Sequence, residues 1–113
     1  MVARNKLLQT PPYPVEQALT RLSESLRTAR IRRNLTIDDV AQKIGTGRRA
    51  VMDAEKGKVS TGVGVYVALL WAYDLLSQLN DVANPAKDEQ GLLLAAPKEK
   101  TRARASGELD SDF

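Results

Sequence analysis

The sequence lacks two residue types on which protein chemistry often depends, because it contains no cysteine and no histidine. Without thiol and imidazole groups there is no disulfide, no thiol nucleophile, no imidazole base and no zinc site of the usual ligand set. Most catalytic arrangements are excluded on this ground. We therefore expect no enzymatic activity, no metal site and no cofactor.

Long apolar segments are also missing. No apolar run approaches the length of a membrane span, and residues 1–14 lack the apolar core of a signal peptide. The sequence thus predicts a cytoplasmic protein with no membrane partner. Aromatic residues make up only 4% of the chain, so most of its 42% hydrophobic content is aliphatic, which suits packed helices better than a sandwich of sheets.

The 113 residues fit one domain and carry a net charge of +3, with the basic residues concentrated near the N-terminus. Residues 1–33 contain seven Lys and Arg against two Asp and Glu, whereas residues 58–96 contain two against four. This asymmetry is compatible with an anionic partner on one face and also with an ordinary solvated surface. Charge alone does not decide between the two.

Prolines separate an N-terminal segment from a first helix. The sequence TPPYP breaks any helix, so residues 1–14 are expected to form a flexible arm and a helix to begin near Val15. The pair Asn34-Leu35 closes this helix. Its expected core-facing residues recur at helical spacing and are Val15, Ala18, Leu19, Leu22, Leu26 and Ala29.

Two short helices follow. Thr36 is a good N-cap, and Asp39 completes a variant of the capping box at the start of a helix over residues 37–44. The sequence Gly45-Thr46-Gly47 ends this helix tightly, and a third helix over residues 48–56 stops at Gly57. The third helix is expected to bury Val51 and Ala54.

Two further helices are expected downstream. Ser60 or Thr61 is the expected cap of a fourth helix, with a fifth over residues 75–82. The apolar residues expected on one side of the fourth helix are Val65, Leu69, Leu70 and Tyr73.

Short helices joined by a tight turn and flanked by longer helices are the outline of a helix-turn-helix domain. In that motif the first turn of the second helix enters the major groove of DNA, and here this turn carries Arg48 and Arg49. The alternative is that both arginines are simply solvated. Against it, cations at a helix N-terminus oppose the helix dipole, and an anion there would relieve that cost.

Residues 35–57 closely resemble the Cro/C1-type (XRE) helix-turn-helix family of phage and bacterial repressors. The resemblance extends from about Leu19 to Leu79 and implies an all-α fold, a five-helix lambda-repressor-like domain over residues 15–84. Its most specific stretches are VAQKIGT and EKGK, with Ala41, Gly45, Val51, Glu55 and Gly57 at the family spacing. The tail, residues 85–113, is similar to that of the HipB-like antitoxin branch and is expected to be partly disordered.

The resemblance implies three sets of site residues. Base readout is assigned to Arg48, Arg49, Met52 and Asp53. Phosphate contacts are assigned to Thr36, Thr46, Gly47, Lys56, Lys58, Arg32 and Arg33. The dimer interface is assigned to Leu75, Leu76, Leu79 and Val82. The chain departs from the family in having Ile37 where a phosphate-binding Gln is common and Gly47 where Ser or Thr usually caps.

Four residues and one segment also have other interpretations. Asp53 is expected to pair with Arg49, four residues earlier on the same helix. Glu55 resembles the family's buried acid, which accepts hydrogen bonds and holds the motif together. Trp71 and Tyr73 are expected in the core or at a dimer surface. The stretch GLLLAA is compatible with a frayed helix, a donated β-strand or a docking segment, and periodicity does not choose among them.

The function implied is that of a transcriptional repressor that binds a palindromic operator in double-stranded DNA as a homodimer. The second resemblance implies an antitoxin that represses its own operon and neutralises a HipA-like kinase toxin. Two alternatives remain: a phage or plasmid regulator without a toxin, and an interaction scaffold that does not bind DNA.

Overall fold

Every regular element is helical in residues 5–96, the part of the chain that the computed structural model describes. The fold of this part is therefore all-α, as predicted. The α-helices are α1 (Lys6–Gln9), α2 (Tyr13–Arg32), α3 (Ile37–Ile44), α4 (Arg48–Glu55) and α5 (Val63–Ala72). Two 3-10 helices follow, Leu76–Asp81 and Pro85–Lys87, and residues 89–96 are also helical.

The N-terminal segment contains more helix than expected. Asn5 caps the one-turn helix α1, and α2 begins at Tyr13 instead of near Val15. The helix can start earlier because Pro14 lies in its first turn. Backbone N–H groups in the first turn have no partner within the helix, so the missing N–H of proline does not destabilise it there. The part of the expected arm formed by residues 1–4 lies outside the described residues.

The bounds of α3 are as predicted, and α4 ends one residue earlier than expected, at Glu55. The capping box is present: Thr36 Oγ1 accepts from the backbone N–H of Asp39, and the Asp39 carboxylate accepts from the backbone N–H of Thr36. After α3 the chain turns at Gly45, whose φ of 80° lies in the left-handed region that glycine tolerates best. The N–H of Thr46 then reaches back to the carbonyl of Ala41 and closes the helix end.

The same closure ends α2, α4 and α5. The residue in the left-handed conformation is Asn34 after α2, Gly57 after α4 and Asp74 after α5. In each case the next residue donates to a carbonyl five residues earlier, as Lys58 does to Asp53. A tight, hydrogen-bonded turn therefore sets the direction in which the chain leaves each of these helices.

The region after residue 58 departs from two predictions. The N-cap of α5 is Gly62, not Ser60 or Thr61, and no side chain caps the helix. The predicted fifth helix is a 3-10 helix, Leu76–Asp81, instead of an α-helix over residues 75–82. The sequence SQLND explains the difference, because Ser, Asn and Asp compete for backbone hydrogen bonds and weaken an α-helix.

The described residues form two units, which divide between Ser77 and Gln78. In the first unit α3 packs against α4 and α5, and α2 packs against α4. Its core consists of small and aliphatic side chains with two tyrosines, namely Leu26, Ala29, Val40, Ala41, Val51, Ala54, Tyr66, Leu69, Leu70, Ala72 and Tyr73. The burial of Val51 and Ala54 was predicted; Val15 and Ala18, in contrast, are exposed.

The described part of the second unit, residues 78–96, has no buried side chain. Asn84 caps the 3-10 helix Pro85–Lys87, and Lys87 pairs with Asp81 at 2.9 Å. Residues 91–96, the stretch GLLLAA, are helical, which corresponds to the first of the three conformations considered for it. None of the helices in residues 5–96 combines the length and the apolar character required to cross a membrane.

Candidate nucleic-acid interface

The first turn of α4 presents two arginines to solvent. Arg48 and Arg49 are the first two residues of the helix, and both are exposed. The N-cap, Gly47, offers no side-chain hydrogen bond, and the first turn contains no acidic residue. The positive end of the helix dipole and two guanidinium groups are therefore combined at one helix terminus.

An acidic side chain from α3 partly offsets this charge. Asp38 lies in the first turn of α3, and its Oδ1 is 3.0 Å from Nε of Arg48. Both side chains are exposed, at 74% and 61% respectively, so the ion pair contributes little to folding stability. The sequence indicates that an anion near Arg48 would be favourable. It does not identify Asp38 as that anion, because the two residues are ten positions apart on different helices.

A buried ion pair fixes the position of α4. Arg30 of α2 donates to both carboxylate oxygens of Glu55 at 2.7 and 3.0 Å, and its Nη1 donates to the carbonyl of Leu35 at 2.9 Å. The two side chains are only 12% and 6% exposed. The hydrogen bonds to Glu55 raise the pKa of Arg30 above its ordinary value. The structural interpretation of Glu55 as a buried, hydrogen-bonded acid is thus confirmed.

The predicted pair between Arg49 and Asp53 is not present. Asp53 instead pairs with Lys58, whose Nζ lies 3.9 Å from Oδ1. The turn at Gly57 explains the change, because it brings the N–H of Lys58 to the carbonyl of Asp53 and so places the lysine beside the carboxylate. Met52 and Asp53, both assigned to base readout, are half-buried.

The residues assigned to phosphate binding near α3 are partly occupied by other contacts. The backbone N–H of Thr36 donates to Asp39, and its hydroxyl oxygen accepts from Asp39. The hydrogen bond from the Thr36 backbone N–H to the Asp39 carboxylate is the largest cause that lowers the pKa of the Asp39 carboxyl. The Thr36 hydroxyl can still donate its own hydrogen. The N–H of Thr46 is used by Ala41, while Gly47 is exposed.

The other assigned phosphate contacts fall into two groups. Lys56, Lys58 and Arg32 are exposed. Arg33 is exposed as well, but it donates to the carbonyls of Ala29 and Tyr73, both at 2.9 Å, and its guanidinium lies 5.6 Å from the centre of the Tyr73 ring. Arg33 therefore joins α2 to the end of α5, and this role was not predicted.

In residues 35–58 the acidic side chains all have partners within the protein, whereas some basic side chains form no ion pair among residues 5–96. This segment contains five basic and four acidic residues. All four acids have partners within the protein: Asp38 with Arg48, Asp39 with Thr36, Asp53 with Lys58 and Glu55 with Arg30. Among the ion pairs of residues 5–96, none involves Arg49 or Lys56. Arg49 and Lys56, at the two ends of α4, are therefore available to an anionic partner.

The residues assigned to a dimer interface are divided between the two units. Leu75 and Leu76 belong to the first unit and Leu79 and Val82 to the second. Leu76 is 39% exposed and Val82 is 67% exposed, whereas Leu75 and Leu79 are half-buried. Trp71 is also exposed, with Lys43 at 5.7 Å from its ring centre, and Tyr73 lies in the core.

Comparison with known proteins gives no further guide to this surface. The chain matches no protein-family model, and neither the curated proteins nor the solved structures contain a match to it.

Proposed function

We propose that the chain is a transcriptional repressor that binds double-stranded DNA through α3 and α4, as a lambda-repressor-like helix-turn-helix domain of the Cro/C1-type (XRE) family. One observation carries the proposal. Within residues 35–58 every acidic side chain has an internal partner, while Arg49 and Lys56 at opposite ends of α4 have no ion-pair partner among residues 5–96. Unpaired cations at both ends of a helix suit a polyanion.

The chemistry of the side chains supports a division of tasks on α4. Arginine can donate two hydrogen bonds to O6 and N7 of guanine in the major groove. Lysine is a compact point charge suited to phosphate. The first turn of α4, with Arg48 and Arg49, is accordingly assigned to base readout, and the lysines that follow α4, Lys56 and Lys58, to the DNA backbone.

The repressor is proposed to act as a homodimer on a palindromic operator. A single reading helix covers too few base pairs for useful specificity, and two-fold symmetry doubles the length of the site. Leu76, in the first unit, supplies an exposed apolar side chain that a second subunit can cover. Leu76 is not among the buried residues that form the core of that unit.

The experiment is a selection from a random library of duplex DNA, followed by titration of the selected site with the full-length chain. We expect a palindromic consensus and an affinity that falls steeply with salt. Arg49→Ala should weaken binding to the selected site by roughly 5- to 150-fold. Arg27→Ala is the matched control, since Arg27 is an exposed arginine of α2 with no ion pair among the described residues.

Two outcomes would reject the proposal. One is a wild-type protein that enriches no sequence and shows no salt-dependent binding to any duplex, which would favour an interaction scaffold. The other is a selected site bound equally well by wild type and by Arg49→Ala, which would remove α4 from the interface. Thermal unfolding of each variant shows whether the fold is retained.

A second candidate function is neutralisation of a HipA-like kinase toxin, as in the HipB-like antitoxins. The observation that favours it is the run Leu92, Leu93 and Leu94, which is helical and exposed on all three side chains. Exposed apolar residues in series suit a protein partner. Deletion of residues 90–113 should leave operator binding in place and abolish co-purification with a kinase-like protein encoded beside this chain. Retained co-purification would reject the role of this segment, and the absence of such a neighbouring gene would favour a regulator without a toxin.

A further inference from the structure

Asp38 and Arg48 connect the first turns of α3 and α4 on the surface assigned to DNA. The atom of Arg48 nearest to the carboxylate is Nε, at 3.0 Å from Oδ1. The carboxylate therefore lies beside the part of the guanidinium that joins the side-chain stem. The terminal nitrogens, Nη1 and Nη2, make no hydrogen bond to any of residues 5–96.

This geometry has a consequence for recognition. Guanine is read by two parallel N–H groups that reach its O6 and N7. A guanidinium offers such a pair at its terminal edge and another along its Nε side. Because Asp38 lies at the Nε side of Arg48, the terminal edge is the one left for a base.

Arg49 is in a different situation. It follows Arg48 on the same helix turn and is exposed, but no ion pair with residues 5–96 restrains it. A free arginine loses more side-chain freedom on binding than one already held in place.

We infer that Asp38 is a positioning residue for DNA readout, which orients Arg48 so that its terminal nitrogens select guanine. This inference rests on the proposed function and extends it by naming the base and the residue that sets specificity. The carboxylate of Asp38 also repels phosphate when Arg48 is not engaged with a base, and so disfavours unrelated DNA.

The test measures discrimination at one base pair, not affinity alone. From the site selected by the wild-type full-length chain, single base-pair variants are titrated, and the guanine read by Arg48 is identified as the one whose preference Arg48→Ala removes. The wild type should prefer that guanine by roughly 5- to 150-fold. In Asp38→Asn the preference at the same base pair should fall to the level of Arg48→Ala, while affinity for unrelated duplex stays equal or rises.

Three further variants make the result specific. Asp38→Asn combined with Arg48→Ala should lose no more discrimination than Arg48→Ala alone, because both changes remove one interaction. Asp38→Glu keeps the carboxylate and should restore part of the preference. Glu24→Gln removes the same charge from an exposed residue of α2 and should change affinity for all duplexes alike without altering preference.

The outcomes separate this inference from the proposed function. If the wild type selects a site but Asp38→Asn keeps full preference for the guanine, the positioning role is overturned and DNA binding stands. The positioning role is also overturned if Asp38→Asn binds every duplex more tightly by the same factor and keeps its preference for the guanine, since Asp38 would then act only by repelling phosphate. A wild type that selects no DNA overturns the proposed function and this inference with it.

Discussion

The buried pair of Arg30 and Glu55 provides the sharpest prediction about stability. Glu55→Ala removes a carboxylate that accepts two hydrogen bonds from Arg30 and leaves the guanidinium with the carbonyl of Leu35 as its remaining partner. Removal of one member of a buried pair costs about 3–5 kcal/mol. Because Arg30 is still 12% exposed and keeps the bond to Leu35, we expect a loss of about 2–4 kcal/mol.

A loss of this size is a large share of the total. Domains of this kind are stable by about 5–15 kcal/mol, so the variant should unfold at a clearly lower urea concentration. The assay is urea unfolding of the full-length chain followed by far-UV circular dichroism. The slope of the free energy of unfolding against urea should not change, because the same surface is exposed on unfolding.

Two comparisons make the prediction specific. Arg30→Met combined with Glu55→Met removes both charges and should be less destabilised than the sum of the single changes, since no unpaired charge remains. Glu24→Ala changes an exposed acid on the same helix as Arg30 and should lie within about 0.5 kcal/mol of wild type. If Glu55→Ala unfolds within about 1 kcal/mol of wild type, the pair does not hold α4 in place as argued.

Three other outcomes are expected. Hydrogen bonds lower the pKa of the Asp39 carboxyl, so they stabilise the fold at pH values above its ordinary pKa of 3.8. This stabilisation is lost as the pH falls further. Asp39→Asn should therefore flatten the acid side of a plot of the free energy of unfolding against pH. Burial raises the pKa of Tyr73 to about 12, so the unfolded chain loses this proton first and stability should fall by about 1 kcal/mol between pH 10 and about pH 11. Tyr73→Phe should abolish that loss without lowering stability at neutral pH, because the buried hydroxyl has no hydrogen-bond partner among residues 5–96. Leu76→Asp should sediment as a monomer with its helical content retained, whereas a wild type that is itself monomeric at tens of micromolar would contradict the dimer.

The sequence was most informative where structure depends on neighbouring residues. The limits of α3 follow from the capping box of Thr36 and Asp39 and from the left-handed turn at Gly45, all within one short segment. The start of α4 at Arg48 follows from the same turn. In such places the backbone conformation is set by local hydrogen bonds that the residue types themselves reveal.

The sequence was least informative about contacts between distant residues. The partner of Glu55 is Arg30, 25 positions away, and the partner of Arg48 is Asp38 on the preceding helix. The pairing rule for helices suggested Arg49 for Asp53, but the turn after α4 places Lys58 there instead. Packing angles and the exit direction of a chain decide such pairs, and neither is apparent from spacing alone.

One residue of α3 and one at the end of α2 hold α5 at its C-terminal end. The helix itself contains no charged side chain, yet Lys43 of α3 donates to the carbonyl of Ala72 at 3.4 Å and Arg33 donates to that of Tyr73 at 2.9 Å. A peptide that contains only α3 and α4 would therefore lack the Ala72 carbonyl that Lys43 contacts and the Arg30 guanidinium that pairs with Glu55. The smallest fragment that keeps these contacts and the turn that closes α5 runs from Tyr13 to Leu75. Within that block Arg49 can be exchanged without loss of the contacts that join α2, α3 and α5, because none of them depends on it, so the proposed DNA specificity can be altered separately from the fold.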